Sequence, residues 1–261
     1  ATLGPMEWPL RIKVFAHWTA WTGAGRIAQE QLDRMKHSGL LDRADLFYIC
    51  ISGDPTGFLD NLVWLQNYKT VRVIMSGENI KYGEYPTLEF LRQQCQADLD
   101  DHAVFYHHLK GVSRQTGPAI DWRHFLEYWN IEQWRACYES LYHGYDTVGV
   151  NYTVSPEGNH WPHYSGNFWW ARASYIRKLE SLTHPDRLNW NNPSKLLVKK
   201  DGEGVILDKG NFRFEHEAWI GSAQPVWVEL HAGPGKRDTG WHYKNNYARE
   251  EYATETSTTA D

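Results

Sequence analysis

Apolar positions in the first part of the chain alternate between two periods. Residues 11–18 form a short β-rich apolar run, after which Ile27, Leu32 and Met35 recur at helical spacing until Gly39 stops them. The alternation repeats. Residues 46–51 read as a strand, Phe58, Leu62 and Leu65 line a helix face, and residues 71–75 read as a third strand. A helix starts after Pro86 with Leu88, Leu91 and Cys95 on one side, and residues 103–107 make a fourth strand. Strands that are almost continuously apolar and alternate with helices imply a parallel sheet covered on both faces.

Beyond Pro118 the stripe Trp122, Phe125, Trp129 and Cys137 predicts one long helix to about Tyr142. Residues 146–152 read as a strand, followed by an aromatic loop through residues 163–171 and a helix carrying Tyr175, Ile176, Leu179 and Leu182. Two apolar stretches around Asp201-Gly-Glu-Gly204 predict a β-hairpin over residues 195–208, an excursion from the main layer. Residues 212–222 return to a helix and 226–230 to a strand. The expected fold class is α/β, a Rossmann-like, mostly parallel sheet flanked by helices with a small hairpin excursion.

With 261 residues, one large domain suffices, placed at residues 10–250. Residues 1–9 read as a vector-derived leader and 251–261 as a polar tail. A net charge of −5 argues against a partner built of phosphodiester backbone, so nucleic acid is not expected. No apolar run approaches the roughly 20 residues a bilayer demands. Three cysteines, an odd number without close spacing, favour a reducing compartment, and the expected localisation is cytoplasmic, with room for peripheral membrane association and for neighbouring domains in a longer chain. The outlying quantity is aromatic content, 15%, which can fill a core or supply stacking platforms for sugars and bases.

Ligands of open parallel sheets bind beyond the carboxyl ends of the strands, so the loops after the strands carry the candidate chemistry. No G-x-G-x-x-G or Walker A sequence follows any strand. Lys110 stands just after the fourth strand, where a cation could meet a diphosphate; a solvated loop lysine is the equal alternative. His107 and His108 are adjacent and must point to opposite sheet faces, and His108, at the strand end, is the better candidate. Asp98-Leu-Asp100 has the form of a metal-holding carboxylate pair but precedes its strand, which favours a solvated turn. Glu215 and Glu217 lie on a predicted helix and face different directions, so one of them could be buried toward a site and act as a general base. His160 and His163 lack the companions of a zinc site, Ser165 lies outside any G-x-S-x-G, and residues 231–236 form either a phosphate cradle or a simple turn.

Several runs occur in order: Tyr82-Gly-Glu-Tyr-Pro-Thr-Leu88, His108-Leu-Lys-Gly-Val-Ser113, Trp122-Arg123, His163-Tyr-Ser-Gly-Asn-Phe-Trp-Trp-Ala171, then Arg213 and Glu217-Ala-Trp219. Together they resemble the small GT-A-type glycosyltransferases of chloroviruses and of bacterial surface-glycan assembly, over about residues 10–250. The resemblance implies a nucleotide-sugar-binding half, residues 10–115, and an acceptor half, residues 116–250. It implies transfer of a sugar from a nucleoside-diphosphate donor to a glycan hydroxyl, with Glu217 as catalytic base. His17, Trp18, Asn79, Glu84, His108, Lys110, Arg114 and Arg123 would then bind the donor and its diphosphate, and Ser165, Gly166, Asn167 and Trp169 the sugar or acceptor. Trp169 and Trp18 are the expected stacking platforms. His108 and Lys110 occupy the place of the usual metal-binding DxD, so dependence on Mn²⁺ or Mg²⁺ stays open. Inversion at the anomeric carbon is the leading expectation; retaining transfer, a nucleotide-sugar hydrolase and a carbohydrate-binding module without catalysis are the alternatives.

Overall fold

Seven short β-prone segments assemble into one sheet in the order β11 (Trp227–Glu229), β5 (Thr147–Gly149), β8 (Trp169–Arg172), β4 (His102–His108), β1 (Arg11–Thr19), β2 (Leu46–Ser52) and β3 (Val71–Met75). The computed structural model describes residues 9–77, 80–153, 162–182, 196–200, 203–207, 213–234 and 240–253. The amino-terminal part follows the predicted alternation: β1 (Arg11–Thr19), α1 (Ala24–His37), a single helical turn α2 (Leu40–Arg43), β2 (Leu46–Ser52), α3 (Leu59–Leu65), β3 (Val71–Met75), α4 (Tyr85–Ala97) and β4 (His102–His108). β1 pairs in parallel with both β2 and β4. Alternate residues of the central strands therefore serve two cores. Ile12, Val14, Ala16 and Phe105 pack with α1 and the later helix α6 (Trp134–Tyr142), while Phe15, Val104 and Tyr106 pack with Leu88 and Leu91 of α4.

Three expectations need correction. The predicted long helix is interrupted: α5 (Gly117–Glu127) gives way to a π turn at Tyr128–Glu132 before α6 begins. In that turn the Asn130 side chain donates to Leu126 O at 2.9 Å, and Asn130 O accepts the Trp170 indole N–H at 2.9 Å, so the backbone is held by partners outside the helical ladder. Second, residues 169–172 are a strand, β8 (Trp169–Arg172), inserted antiparallel between β4 and β5 (Thr147–Gly149). Its two tryptophans straddle the sheet, Trp170 stacking on Phe105 and Trp169 tilting onto Tyr106. Third, the helix after it is only α7 (Ala173–Ile176), and the strand expected at 146–152 divides into β5 and β6 (Tyr152–Thr153), the latter pairing with β7 (His163–Tyr164).

The hairpin holds as expected: β9 (Leu196–Lys200) pairs antiparallel with β10 (Glu203–Leu207). α8 (Arg213–Ala218) and β11 (Trp227–Glu229) follow, β11 parallel to β5. Residues 240–253 then cover α5, where Tyr247 and Tyr252 form a third cluster with Trp122 and Phe125. No helix among the described residues is long and apolar enough to cross a membrane.

Candidate functional site

The chain lays β2 and β3 on one side of β1, then returns to place β4 on the other, so the topological switch falls between the carboxyl ends of β1 and β4. His17 and His108 are register partners there. His17 is buried, its Nδ1 hydrogen-bonding the Thr87 hydroxyl at 2.7 Å and its Nε2 the Thr19 hydroxyl at 2.9 Å. Burial, reinforced by the nearby charge of His108, lowers its pKa to about 3, so the ring is neutral. Both nitrogens are engaged, and His17 braces the floor of the crevice rather than offering a free donor to the ligand. His107 points to the opposite face, as strand geometry requires, and bonds Gln31.

His108 Nε2 lies 2.9 Å from Gly166 O and 3.1 Å from Glu84 Oε1, so this nitrogen carries the proton. Glu84 stands at the amino-terminal end of α4 without a side-chain capping bond, where an anion is favoured by the helix dipole, and accepts a second bond from Asn167 Nδ2 at 2.7 Å. Asn167 in turn accepts the Trp169 indole N–H at 2.9 Å. It adopts φ +56°, in the left-handed region that Asn tolerates better than most residues, after Gly166 at φ +94°. A β-carbon on Gly166 would come within 2.5 Å of Leu126 Cδ1, so the turn needs glycine for space as well as conformation. Glu84, His108, Gly166 and Asn167, far apart in sequence, thus form one network.

Asn167 Nδ2 also lies 3.4 Å from His216 O, which joins this network to α8. On α8 Glu217 is half-buried, its Oε2 3.8 Å from His163 Nε2. His163 also lies 3.5 Å from the Ser165 hydroxyl, itself 3.2 Å from that of Thr153. Glu215 and Glu217 are both half-buried, so neither is the fully solvated partner that helical geometry suggested.

Lys110 follows β4 at the switch point, with Nζ 3.8 Å from the centroid of Trp122. Its loop is braced from below: Gln31 donates to His108 O at 3.0 Å and Arg123 to Lys110 O at 3.3 Å. Arg123, expected at the diphosphate, is instead buried and ion-paired with Glu30 at 2.9 Å and Glu127 at 3.7 Å. Burial opposes the charge of Glu30, but hydrogen bonds from His124 and Arg123 outweigh it and hold that carboxyl well below the usual range. Glu127, fully buried and beside Glu30, moves in the opposite direction. Glu30, His124 and Glu127 bring ligand atoms within 4.8 Å of one another, the one metal-sized set among the described residues. They do not fit a divalent cation: Arg123 lies on two of the carboxylates and Arg34 Nε approaches Glu127 at 2.9 Å, so the negative charge is already matched.

The remaining nominations separate clearly. Arg114 is exposed on the loop after Lys110. Trp18 and Trp169 are buried, with 1% and 0% exposure, so neither presents a face to a sugar. Asp98 does lie at the amino-terminal edge, but it is bound to Lys13 at 2.7 Å and Arg11 at 2.8 Å rather than merely solvated. Gly233 N–H is donated to His231 Nδ1, so that turn uses its own backbone donor. All three cysteines are buried and unpaired, and burial pushes the Cys50 and Cys95 thiols up to about 12, which leaves no thiolate nucleophile there. Asn79, His160, Lys236 and the Arg213 side chain lie outside the described residues.

The sequence matches a family profile described as a domain of unknown function, DUF8361, over residues 12–232. The chain belongs to the DUF8361 family. That span runs from β1 past β11 and so includes every side chain of the network. No curated protein matches the sequence. Among solved structures, the fold is similar to that of a 4-diphosphocytidyl-2C-methyl-D-erythritol synthase at 11% identity, with a TM-score of 0.34, over 65% of this chain and 78% of that one.

Three residues escaped the sequence reading. Gln31 and Glu127 lie on helix stripes that carry no motif, and their partners are distant in the chain. Tyr243 lies in a segment with no periodicity, yet it packs edge-on against Trp122 with centroids 4.9 Å apart.

Proposed function

We propose that this DUF8361 protein transfers a sugar from a nucleoside-diphosphate donor to a hydroxyl of a glycan acceptor, with inversion at the anomeric carbon. One observation carries the reading: at the switch point an ammonium, Lys110, rests on an aromatic face with no carboxylate partner among the described residues, and the network from His108 through Glu84 and Asn167 to His216 O leads to the helix that bears the half-buried carboxylate of Glu217. A cation that is held but not neutralised suits a leaving diphosphate, whose negative charge grows as the bond to the sugar breaks.

In this mechanism the acceptor oxygen attacks the anomeric carbon from the face opposite the diphosphate. The carbon–oxygen bond to phosphate breaks, its electron pair leaves with the diphosphate toward Lys110, and the acceptor proton passes to Glu217. Glu84 accepts from His108 and Asn167, so it serves as a positioning residue that orients both of them.

The test begins with a thermal-shift screen over nucleoside-diphosphate sugars, with and without Mn²⁺, since a ligand of the native state raises the melting temperature by mass action. With the donor known, Glu217→Gln should lower kcat by at least about a hundredfold while donor affinity changes little. Unchanged turnover removes Glu217 from the mechanism. The anomeric configuration of the product, read by NMR, decides inversion against retention.

A further inference from the structure

Trp18 and Trp169, the expected stacking platforms, are both buried. Among the described residues four aromatic side chains are substantially exposed: Trp21, Tyr142, Tyr145 and Tyr243. Tyr142 and Tyr145 precede β5 and lie at the amino-terminal edge of the sheet, away from the crevice. Trp21 follows β1 in a loop that Gln115 bonds through Thr22 O, but the rings beside Lys110 Nζ are those of Trp122 and Tyr243. Tyr243 is 55% exposed, and its ring centroid is 6.0 Å from Lys110 Nζ.

Tyr243 is also held firmly. The preceding His242 is fully buried, stacks on Trp122 at 4.9 Å and 13°, and bonds Asn151 at 2.9 Å and the Tyr247 hydroxyl at 3.1 Å. Asn151 follows β5 and Trp122 lies on α5, so this anchor fixes Tyr243 to the β5 and β11 side of Lys110. Asp121 secures the segment further on by accepting from Asn246 and from the Tyr247 backbone N–H. A ring fixed before the ligand arrives loses little conformational freedom on stacking, which favours a weakly binding partner such as a single sugar.

We infer that Tyr243 is the stacking platform for the acceptor sugar, taking the apolar face of a hexopyranose ring beside the Lys110 ammonium. The inference rests on the glycosyl-transfer reading for the word acceptor, and on the geometry of Trp122, Lys110 and His242 for the site itself. In an in-line displacement the reacting hydroxyl must come close to the departing diphosphate, and Tyr243 is beside the cation that would hold it. Residues 12–232, which match the family, stop short of Tyr243, so the platform is supplied by sequence outside the family domain.

Saturation-transfer NMR with the methyl glycosides of glucose, galactose, mannose and fucose tests the site without any donor. At least one of them should receive saturation from the wild-type protein, Tyr243→Ala should weaken binding about tenfold, and Tyr243→Phe should restore it. A signal undiminished in Tyr243→Ala, or none in the wild type, overturns the inference. Circular dichroism checks that the variant is folded. The glycosyl-transfer reading is judged separately by the nucleotide-sugar screen. If no nucleotide sugar binds while a methyl glycoside does so through Tyr243, transfer fails and the sugar platform stands. Should a donor be found, Tyr243→Ala should raise KM for the acceptor about tenfold with donor affinity unchanged, and an equal loss of donor affinity would assign the ring to the donor instead.

Discussion

Replacing Asn167 by Asp tests the central network with almost no change of shape. Asp also tolerates the left-handed backbone at φ +56°, and its retained oxygen still accepts the Trp169 indole N–H. The other atom changes from an N–H donor to a carboxylate oxygen, 2.7 Å from Glu84 Oε2. Two full charges at that distance repel by about 6 kcal/mol at an effective dielectric of about 20. Placing a proton on one carboxyl at pH 7 takes about 4 kcal/mol from an ordinary pKa near 4.3, so the folded protein takes up the proton. The shared carboxyl has a folded pKa above its unfolded value, and the variant therefore loses stability as pH rises. Near pH 5 the penalty shrinks to about 1 kcal/mol, because protonation is nearly free and the carboxylic acid again donates to Glu84. Urea unfolding of wild type and variant at pH 5 and pH 7 should give a difference of about 3 kcal/mol between the two destabilisations. A destabilisation of the same size at both pH values would refute the assigned contact. Asn167→Ala provides the contrast: it strands the Trp169 N–H and removes the Glu84 partner, a loss of about 3–5 kcal/mol with no such pH dependence.

Asp98→Asn should lower stability by about 2–3 kcal/mol, since Lys13 is only 5% exposed and loses its anion, with the discount that Asp98 is itself 24% exposed. The thermal shift caused by a bound nucleotide sugar, with or without Mn²⁺, should be unaffected, whereas loss of a Mn²⁺-dependent shift would make Asp98 a metal ligand after all. His17 and His107 are both neutral in the fold, their pKa values lowered to about 3 chiefly by burial and then by His108. Each contributes stability that is present above the unfolded value near 6.5 and is lost as pH falls toward 3, so the wild type should lose about 3 kcal/mol between pH 6.5 and pH 5, and His107→Gln should halve that loss as read by urea unfolding. An unchanged acid slope would mean that His107 titrates normally.

The layer structure was legible because the strands of the amino-terminal half are continuously apolar and the helices between them are not. β8 was hidden for the same reason that short apolar runs are ambiguous: Phe168 to Ala171 has neither alternation nor length, and only the sheet shows that Trp169 and Trp170 serve opposite faces. The π turn depends on Trp170 reaching Asn130, a contact across 40 residues that no periodicity contains. At the site, the opposite orientation of His107 and His108 followed from strand geometry alone. Exposure did not follow from anything local. Trp18 and Trp169 have the right chemistry for stacking but lie on central strands, while Tyr243 lies in an irregular segment whose position is set by His242 and Asn151. Arg123 likewise carries a cation suited to phosphate, and only the fold brings Glu30, 93 residues away, to neutralise it.

Charge pairing then reduces a crowded rim to a few available groups. Glu84 receives the His108 and Asn167 donors, Arg123 lies between Glu30 and Glu127, and both ring nitrogens of His17 are bound to hydroxyls. Each of these groups is satisfied within the protein, so a ligand would have to break an existing hydrogen bond or ion pair to use one. Lys110 differs in kind, because an aromatic face attracts a cation through its quadrupole without supplying a negative charge to cancel it. Glu217 differs as well, its one ion-pair contact among the described residues being His163 at 3.8 Å. The backbone beneath Lys110 is pinned by Gln31 and Arg123, so the site of the cation is fixed by groups that do not neutralise it. An uncancelled cation and an available carboxylate, linked through the network of His108, Glu84 and Asn167, are what a displacement requires when negative charge must leave in one direction and a proton in the other.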